Sequence, residues 1–338
     1  MAATLLMRRA MTTTSPTFAD IQDAAARLKG QAVVTPLIEN AALNERVGCR
    51  VLLKCETLQV SGSFKFRGGY NRISRFSEEE KARGVVAYSS GNHAQGVAAA
   101  AKRVGTRALI VMPHDCPAVK IEGVKSYGGE VRLYDRWTES REAIGEEIAR
   151  ERGSVLVPPF DDFHVMAGQG TAGLEMAEQA MALGVTLDVV CAPASGGGLV
   201  GGIALAMEAL SPSSAVYVAE PADYDDHARS LAAGERRTYA PNPEPSFCDA
   251  LMAPMPGEVT WPVNSRLLKS AVSATDAEVA KAMRFAFRWL KLVVEPGGAA
   301  ALAALLNGQL PAQGTVGVVL SGGNVDPALY ARVLAGEV

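Results

Sequence analysis

The sequence predicts an α/β protein of two domains built on mostly parallel sheets, and three observations carry that prediction. Short β-branched runs alternate with alanine-rich stretches of helical length, the pattern of a parallel sheet covered by helices. Most of those runs are continuous and apolar, as strands buried on both faces must be. At 338 residues, the chain exceeds the size at which one core keeps growing.

In chain order, the expected strands begin with "GVVAYS" (84–89), "ALIVMP" (108–113), "EVRLYD" (130–135) and "VLVPPF" (155–160). They continue with "LDVVCAP" (187–193), "AVYVAEP" (215–221) and "TVGVVLSGG" (315–323). Helices are expected over 92–105, 117–129 and 139–153, the last stopping at Gly153. The tight strand–helix run at 84–157 reads as a small domain set into a larger one. We place a small domain at 58–157 and a large one at 1–57 plus 158–338. There is no internal repeat and no low-complexity linker.

Composition narrows the function. The chain is 48% hydrophobic and 20% charged with a mean hydropathy of +0.09, ordinary for a globular protein. A net charge of −3 without any basic block argues against nucleic acid as a partner. Its longest apolar runs are far too short for a membrane span. Five scattered cysteines with no CxxC point to reduced thiols in a cytoplasm rather than to disulfides or zinc. In "MAATLLMRRAMTTTSP" the apolar stretch precedes the arginines, so it does not read as a signal peptide; Met11 offers an alternative start.

Four motifs carry chemistry. "SGSFKFRGG" (61–69) sets Lys65 between Phe64 and Phe66, walls that would desolvate an amine and lower its pKa. "SSGNHAQG" (89–96) puts Ser89, Ser90, Asn92 and His93 at a strand end leading into a helix. Such a place suits a carboxylate or a ring hydroxyl, and equally suits a plain N-cap by Ser90 or Asn92. "ASGGGLVGG" (194–202) follows a strand and opens a helix, where converging amides and the helix dipole make a phosphate site. "LSGGNVD" (320–326) ends the last strand at Ser321, and ligands of open parallel sheets sit beyond such ends.

One rival stands on the third motif alone. Gly196, Gly198 and Gly201 satisfy G-x-G-x-x-G, and Glu220 ends the next strand about 20 residues on, where a dinucleotide fold keeps its ribose acid. That reading has no use for Lys65.

The four motifs in this order resemble pyridoxal-phosphate enzymes of the tryptophan-synthase β-subunit fold, and within them the serine/threonine dehydratase and serine racemase branch. "TPL" (35–37), "PFDD" (159–162) with "AGQGT" (167–171), and "EPGGAAALAAL" (295–305) extend the likeness over about residues 17–330. The resemblance implies that Lys65 carries the cofactor as a Schiff base and shuttles the Cα proton, and that Asn92 contacts the ring 3-hydroxyl. It implies a phosphate cup from Ser195, Gly196, Gly197, Gly198 and Leu199, with Ser195 where relatives often have glycine. Ser321 would face the pyridine nitrogen; no strong acid, it would leave the ring neutral and favour expulsion of a β-leaving group. Ser89, Asn92 and His93 would hold the substrate carboxylate.

The same likeness implies a catalytic role for Ser90, a serine as in serine racemase and some 3-hydroxyaspartate dehydratases. It would relay a proton on the face opposite Lys65, or else only cap the helix. Arg141 in "ESRE" would read a substrate carboxylate, although its helical neighbours offer it no acidic partner and a solvated arginine is the alternative. Glu220, Tyr224 (by its carbonyl) and Asp226 in "EPADYDD" match that branch's divalent-cation site, hard oxygen ligands for Mg2+, Ca2+ or Mn2+. His164 and His227 read as surface residues or satisfied hydrogen bonders. The expected activity is dehydration of small 3-hydroxy amino acids such as L-threonine and L-serine by a cytoplasmic homodimer. Alternatives on this scaffold are a 3-hydroxyaspartate dehydratase or serine racemase; cysteine-synthase-type β-replacement fits less well.

Overall fold

The computed structural model describes residues 15–338; the reading of Met11 and its neighbours as a start lies outside the described residues. The ten strands are β1 (Leu37–Glu39), β2 (Arg50–Cys55), β3 (Val85–Tyr88), β4 (Ala108–Pro113) and β5 (Glu130–Tyr134), then β6 (Val155–Leu156), β7 (Val189–Pro193), β8 (Ala215–Pro221), β9 (Leu268–Ala274) and β10 (Thr315–Leu320). They form a six-stranded sheet, β1-β2-β10-β7-β8-β9, and a four-stranded sheet, β5-β4-β3-β6. All pairings are parallel except that of β1 with β2.

The expected strands are β3, β4, β7, β8 and β10 inside the two sheets and β5 and β6 at the edges of the four-stranded one. Those not anticipated are β1, β2 and β9, for different reasons. β1 has three residues, β2 contains Arg50 and Lys54, and β9 is an edge strand of mostly small, half-exposed residues. The expected strand at 155–160 stops after Leu156, because Pro158 and Pro159 have no N–H to give a ladder. Leaving the sheet there brings the Pro159 carbonyl to within 2.7 Å of Lys65 Nζ.

Helices Phe163–Ala182 and Gly198–Leu210 pack so closely that a Cβ on Gly202 would lie 2.6 Å from the Gly170 nitrogen. Two cores flank the six-stranded sheet and a separate one fills the side of the four-stranded sheet facing helix Asn92–Val104. Among the described residues, no helix is long and apolar enough to cross a membrane.

Arg67, two residues beyond Lys65, is fully buried. Its Nε and Nη2 each donate to Glu56 at 2.7 Å, and its Nη1 and Nη2 donate to Glu175 at 2.7 and 2.8 Å. Lys54, equally buried, donates to Glu175 (2.7 Å), to the Thr35 carbonyl (2.7 Å) and to Gln179 (2.9 Å). Two cations thus face two carboxylates. Burial alone would raise the Glu56 carboxyl, yet Arg67 and Lys54 hold it below the usual carboxylate range. Removing one member leaves buried charge uncompensated. Arg67→Ala is therefore expected to lower unfolding stability by about 3–5 kcal/mol, read from urea denaturation; an unchanged midpoint would show that the network restrains nothing.

Candidate active site

A cavity of about 460 Å3 opens where strand ends of the two sheets face each other. Tyr88 and Ser89 from the end of β3, Pro193 and Ala194 from β7, Ser321 from β10 and Pro158–Phe160 beyond β6 all line it.

The lysine segment enters through two left-handed residues, Ser61 (φ 63°) and Gly62 (φ 71°). It is stitched to the loop after β10: Ser63 bridges Gly322, the Phe64 amide donates to the Ser321 carbonyl (3.1 Å), and the Gly323 amide donates to the Gly62 carbonyl (2.9 Å). Lys65 then opens helix Lys65–Ile73. Its Nζ donates to the Pro159 carbonyl at 2.7 Å and lies 5.2 Å from the Phe64 ring centre. Burial lowers this amine to about 8, with the Glu295 charge working in the other direction. Of the two aromatic walls expected around Lys65, only Phe64 is one. Phe66 points into the core against Tyr70, since neighbouring helix residues face different sides.

The glycine loop turns its amides inward. The Gly196 carbonyl accepts from Thr260 Oγ1 (2.6 Å) and the Gly197 carbonyl from Asn264 Nδ2 (3.3 Å), so the peptide oxygens point away from the cavity. Gly197 has φ 90°, and a Cβ there would run into Asn264 and His227. The N–H groups of residues 195–200 have no acceptor among the described residues, and they surround the start of helix Gly198–Leu210. Free amides gathered at a helix start have the chemistry to cradle an anion. Ser195 uses its hydroxyl to accept from the Ala253 amide (3.1 Å) and keeps its own amide free.

Across the cavity, helix Asn92–Val104 starts at Gly91 with no side-chain cap, so Ser90 and Asn92 do not cap it. Ser89 Oγ accepts from the Gly91 amide (3.2 Å), and the amides of Asn92, His93 and Ala94 have no acceptor among the described residues. His93 sits differently from expectation. Its Nε2 bonds the Val157 carbonyl at 2.9 Å, and burial, then the Lys65 charge, push its pKa down to about 3. A neutral imidazole whose one N–H is taken leaves only its backbone amide for a carboxylate. Arg141 does find an acid, its sequence neighbour Glu142 (2.7 Å), and its guanidinium lies 5.7 Å from the Tyr88 ring centre at the cavity wall. Lys120, paired with Asp249 at 2.6 Å, also lines the cavity.

Lys65, Ser89, Ser90, Asn92, His93, Arg141, Ser195 to Leu199 and Ser321 therefore share one cavity. Glu220, Tyr224 and Asp226 do not line it; they lie behind the glycine loop. Glu220 accepts from the amides of His227 (2.7 Å) and Ala228 (3.0 Å), which removes it from any ribose. His227 is wholly buried rather than on the surface, with Nδ1 3.2 Å from Glu220 and 3.3 Å from Asp226. Although burial opposes it, these two carboxylates lift His227 to about 9, while burial raises Asp226 to about 6. The ring's Nε2 contacts Asn264, the residue that holds the Gly197 carbonyl.

Sequence reading assigned no role to Glu295. It lines the cavity, its side chain accepts from Asn92 Nδ2, and burial raises its carboxyl to about 7. The available signal was a lone acid at the head of the apolar run "EPGGAAALAAL".

The family described as "Pyridoxal-phosphate dependent enzyme" matches residues 28–322. An L-threo-3-hydroxyaspartate ammonia-lyase of a Pseudomonas species is 42% identical over 318 residues, spanning 94% of this chain and 98% of its own. Among solved structures, maize serine racemase superposes with a TM-score of 0.88 at 37% identity, covering 96% of this chain and 98% of its own. A T.th. threonine deaminase gives 0.86 at 40% identity, covering 92% and 99% respectively.

The acceptor-free amides at 195–200 generate a simple expectation. Inorganic phosphate should raise the melting temperature of the cofactor-free protein, and Gly197→Ala should abolish that rise. Equal responses in both proteins would place the anion elsewhere.

Proposed function

The chain belongs to the pyridoxal-phosphate dependent enzyme family, and on that premise we propose that it eliminates water from small 3-hydroxy amino acids such as L-threonine and L-serine, releasing a 2-keto acid and ammonia. The observation that carries the reading is the buried amine of Lys65, held at a cavity also lined by two sets of amides without acceptors among the described residues. The residues fit the cofactor. The amides of Ser195 to Leu199 would take its phosphate, Ser321 its pyridine nitrogen and Asn92 its ring hydroxyl. Bound there, pyridoxal phosphate supplies an electrophilic carbon for amines and a ring that withdraws electrons from the substrate's Cα–H bond.

The chain's own groups do the rest. With its pKa lowered to about 8, Lys65 is about one-tenth unprotonated at pH 7, far more than a solvated lysine, and can take the proton from Cα. The amides of Asn92, His93 and Ala94, with the helix dipole behind them, would hold the α-carboxylate. The Ser90 hydroxyl, not used as a cap, is free to carry a proton on the other face. Serine at the pyridine nitrogen would leave that nitrogen unprotonated, which would favour loss of the β-hydroxyl over prolonged charge storage.

A second reading narrows the substrate to 3-hydroxyaspartate. Arg141 and Lys120 both line the cavity and offer positive charge to a second carboxylate, and the Pseudomonas relative is named for that substrate. Keto-acid release from L-serine, L-threonine and the 3-hydroxyaspartate isomers, with a chiral readout for racemisation, decides among these. Release from none overturns the dehydratase reading, and Lys65→Ala should release none and lose the visible band. Arg141→Ala should raise KM for 3-hydroxyaspartate by about 10–100-fold, the value of a charged hydrogen bond, with little change for L-serine.

The reading extends to a divalent cation. Both Asp226 oxygens are buried without a hydrogen-bond partner, and Glu220, Asp226 and His227 offer ligand atoms within 4.8 Å of one another. Glu220 and Asp226, with the Tyr224 carbonyl, suit Mg2+, Ca2+ or Mn2+, and an ion there would brace Asn264 and the glycine loop from behind. Chelation should lower the melting temperature of wild type and leave Glu220→Ala unmoved; the same drop in both removes the ion from this site.

The homodimer rests on the resemblance described above. All five cysteines are free, which supports a reducing cytoplasm. The four-stranded sheet lies within 58–157, which supports that segment as the small domain.

A further inference from the structure

Glu295 occupies the N-cap position of helix Pro296–Leu306, yet its carboxylate caps nothing. It turns instead to Asn92, 203 positions away in sequence, whose Nδ2 donates to its Oε1. Its own amide donates to the Gly322 carbonyl (3.0 Å), and Gly322 lies against the carboxylate where no side chain would fit. On the other side, Asn92 Oδ1 accepts from Asn324 Nδ2 at 2.8 Å, and the same Nδ2 donates to the Ser61 carbonyl at 2.7 Å.

The chain of bonds has a direction. A main-chain carbonyl can only accept, so Ser61 dictates which end of the Asn324 amide faces it. Asn324 then presents a donor to Asn92, and Asn92 must turn its carbonyl that way and its NH2 toward Glu295. Either protonation state of Glu295 leaves it an acceptor for that NH2. Left alone, an asparagine amide turns about its last torsion between two nearly isosteric states. A flipped Asn92 would set its oxygen against the Glu295 carboxylate and a nitrogen against the Asn324 donor.

We propose that Glu295 is a positioning residue which, with Asn324, holds the Asn92 amide so that its second N–H, and not its carbonyl, is offered to the ring hydroxyl of the cofactor. This rests on the reading that Asn92 faces that hydroxyl. The bond that the Asn92 carbonyl accepts from Asn324 draws electron density from the amide and strengthens its N–H groups as donors.

The test uses the purified holoenzyme, with two readouts apart from turnover: the visible absorption band, and the dissociation constant for pyridoxal phosphate after apo-protein reconstitution. Glu295→Ala is expected to shift the band and weaken cofactor binding about tenfold. Glu295→Gln, whose carbonyl can accept the same bond, should restore both. Asn324→Asp, which removes the donor at the far end, should reproduce the alanine variant's band. A wild-type band and affinity in Glu295→Ala overturn the proposal, as does a lowered melting temperature with the band unmoved. If Glu295→Ala does not fold, an unshifted band in Asn324→Asp is the refuting result. Asn92→Ala separates the premise: an unmoved band there sinks the placement of Asn92, whereas a shift there with none in Glu295→Ala sinks only the role of Glu295.

Discussion

A guanidinium cannot shed its proton to ease burial, so the fully buried Arg67 must be met by fixed carboxylates. Glu56 comes from the turn after β2 and Glu175 from helix Phe163–Ala182, and both grip the same side chain. Lys54 and Thr35 hold those carboxylates in turn. Two residues before this clamp, Lys65 has little freedom to shift. Its amine can therefore be presented to the cavity at a defined point, which a lysine on a mobile surface turn could not do.

The cavity is built from the ends of parallel strands because that is where a parallel sheet leaves loops, helix starts and unpaired amides together. Two helix N-termini face it, at Asn92 and at Gly198, each with amides left without acceptors among the described residues. One suits a phosphate and the other a carboxylate, and the amine lies at the same cavity. Behind the glycine loop, Thr260 and Asn264 hold the loop carbonyls back, and Asn264 leans on the Glu220, Asp226 and His227 cluster. The acidic cluster thus acts on the site through the loop rather than by touching what binds there.

Ordered motifs made much of this legible in one dimension. The glycine loop, the lysine segment, "SSGNHAQG" and "LSGGNVD" all reach the cavity, because each is a strand end or helix start whose chemistry is local. His93 and Phe66 illustrate the opposite case. Which way an imidazole donates, or which side of a helix a ring takes, depends on a carbonyl or a core that arrives from elsewhere in the chain.

Glu295 marks the boundary most sharply. By itself, the sequence determined the α/β class, the strand–loop–helix units and the local chemistry of each loop, since periodicity and turn residues act over a few positions. Only the tertiary structure decided that Glu295 leaves its own helix to bind Asn92, that Glu56 and Glu175 converge on Arg67, and that His227 is buried between two acids. Those are pairings between residues as many as 203 positions apart, and they form because a buried charge or amide must find a partner wherever the fold brings one.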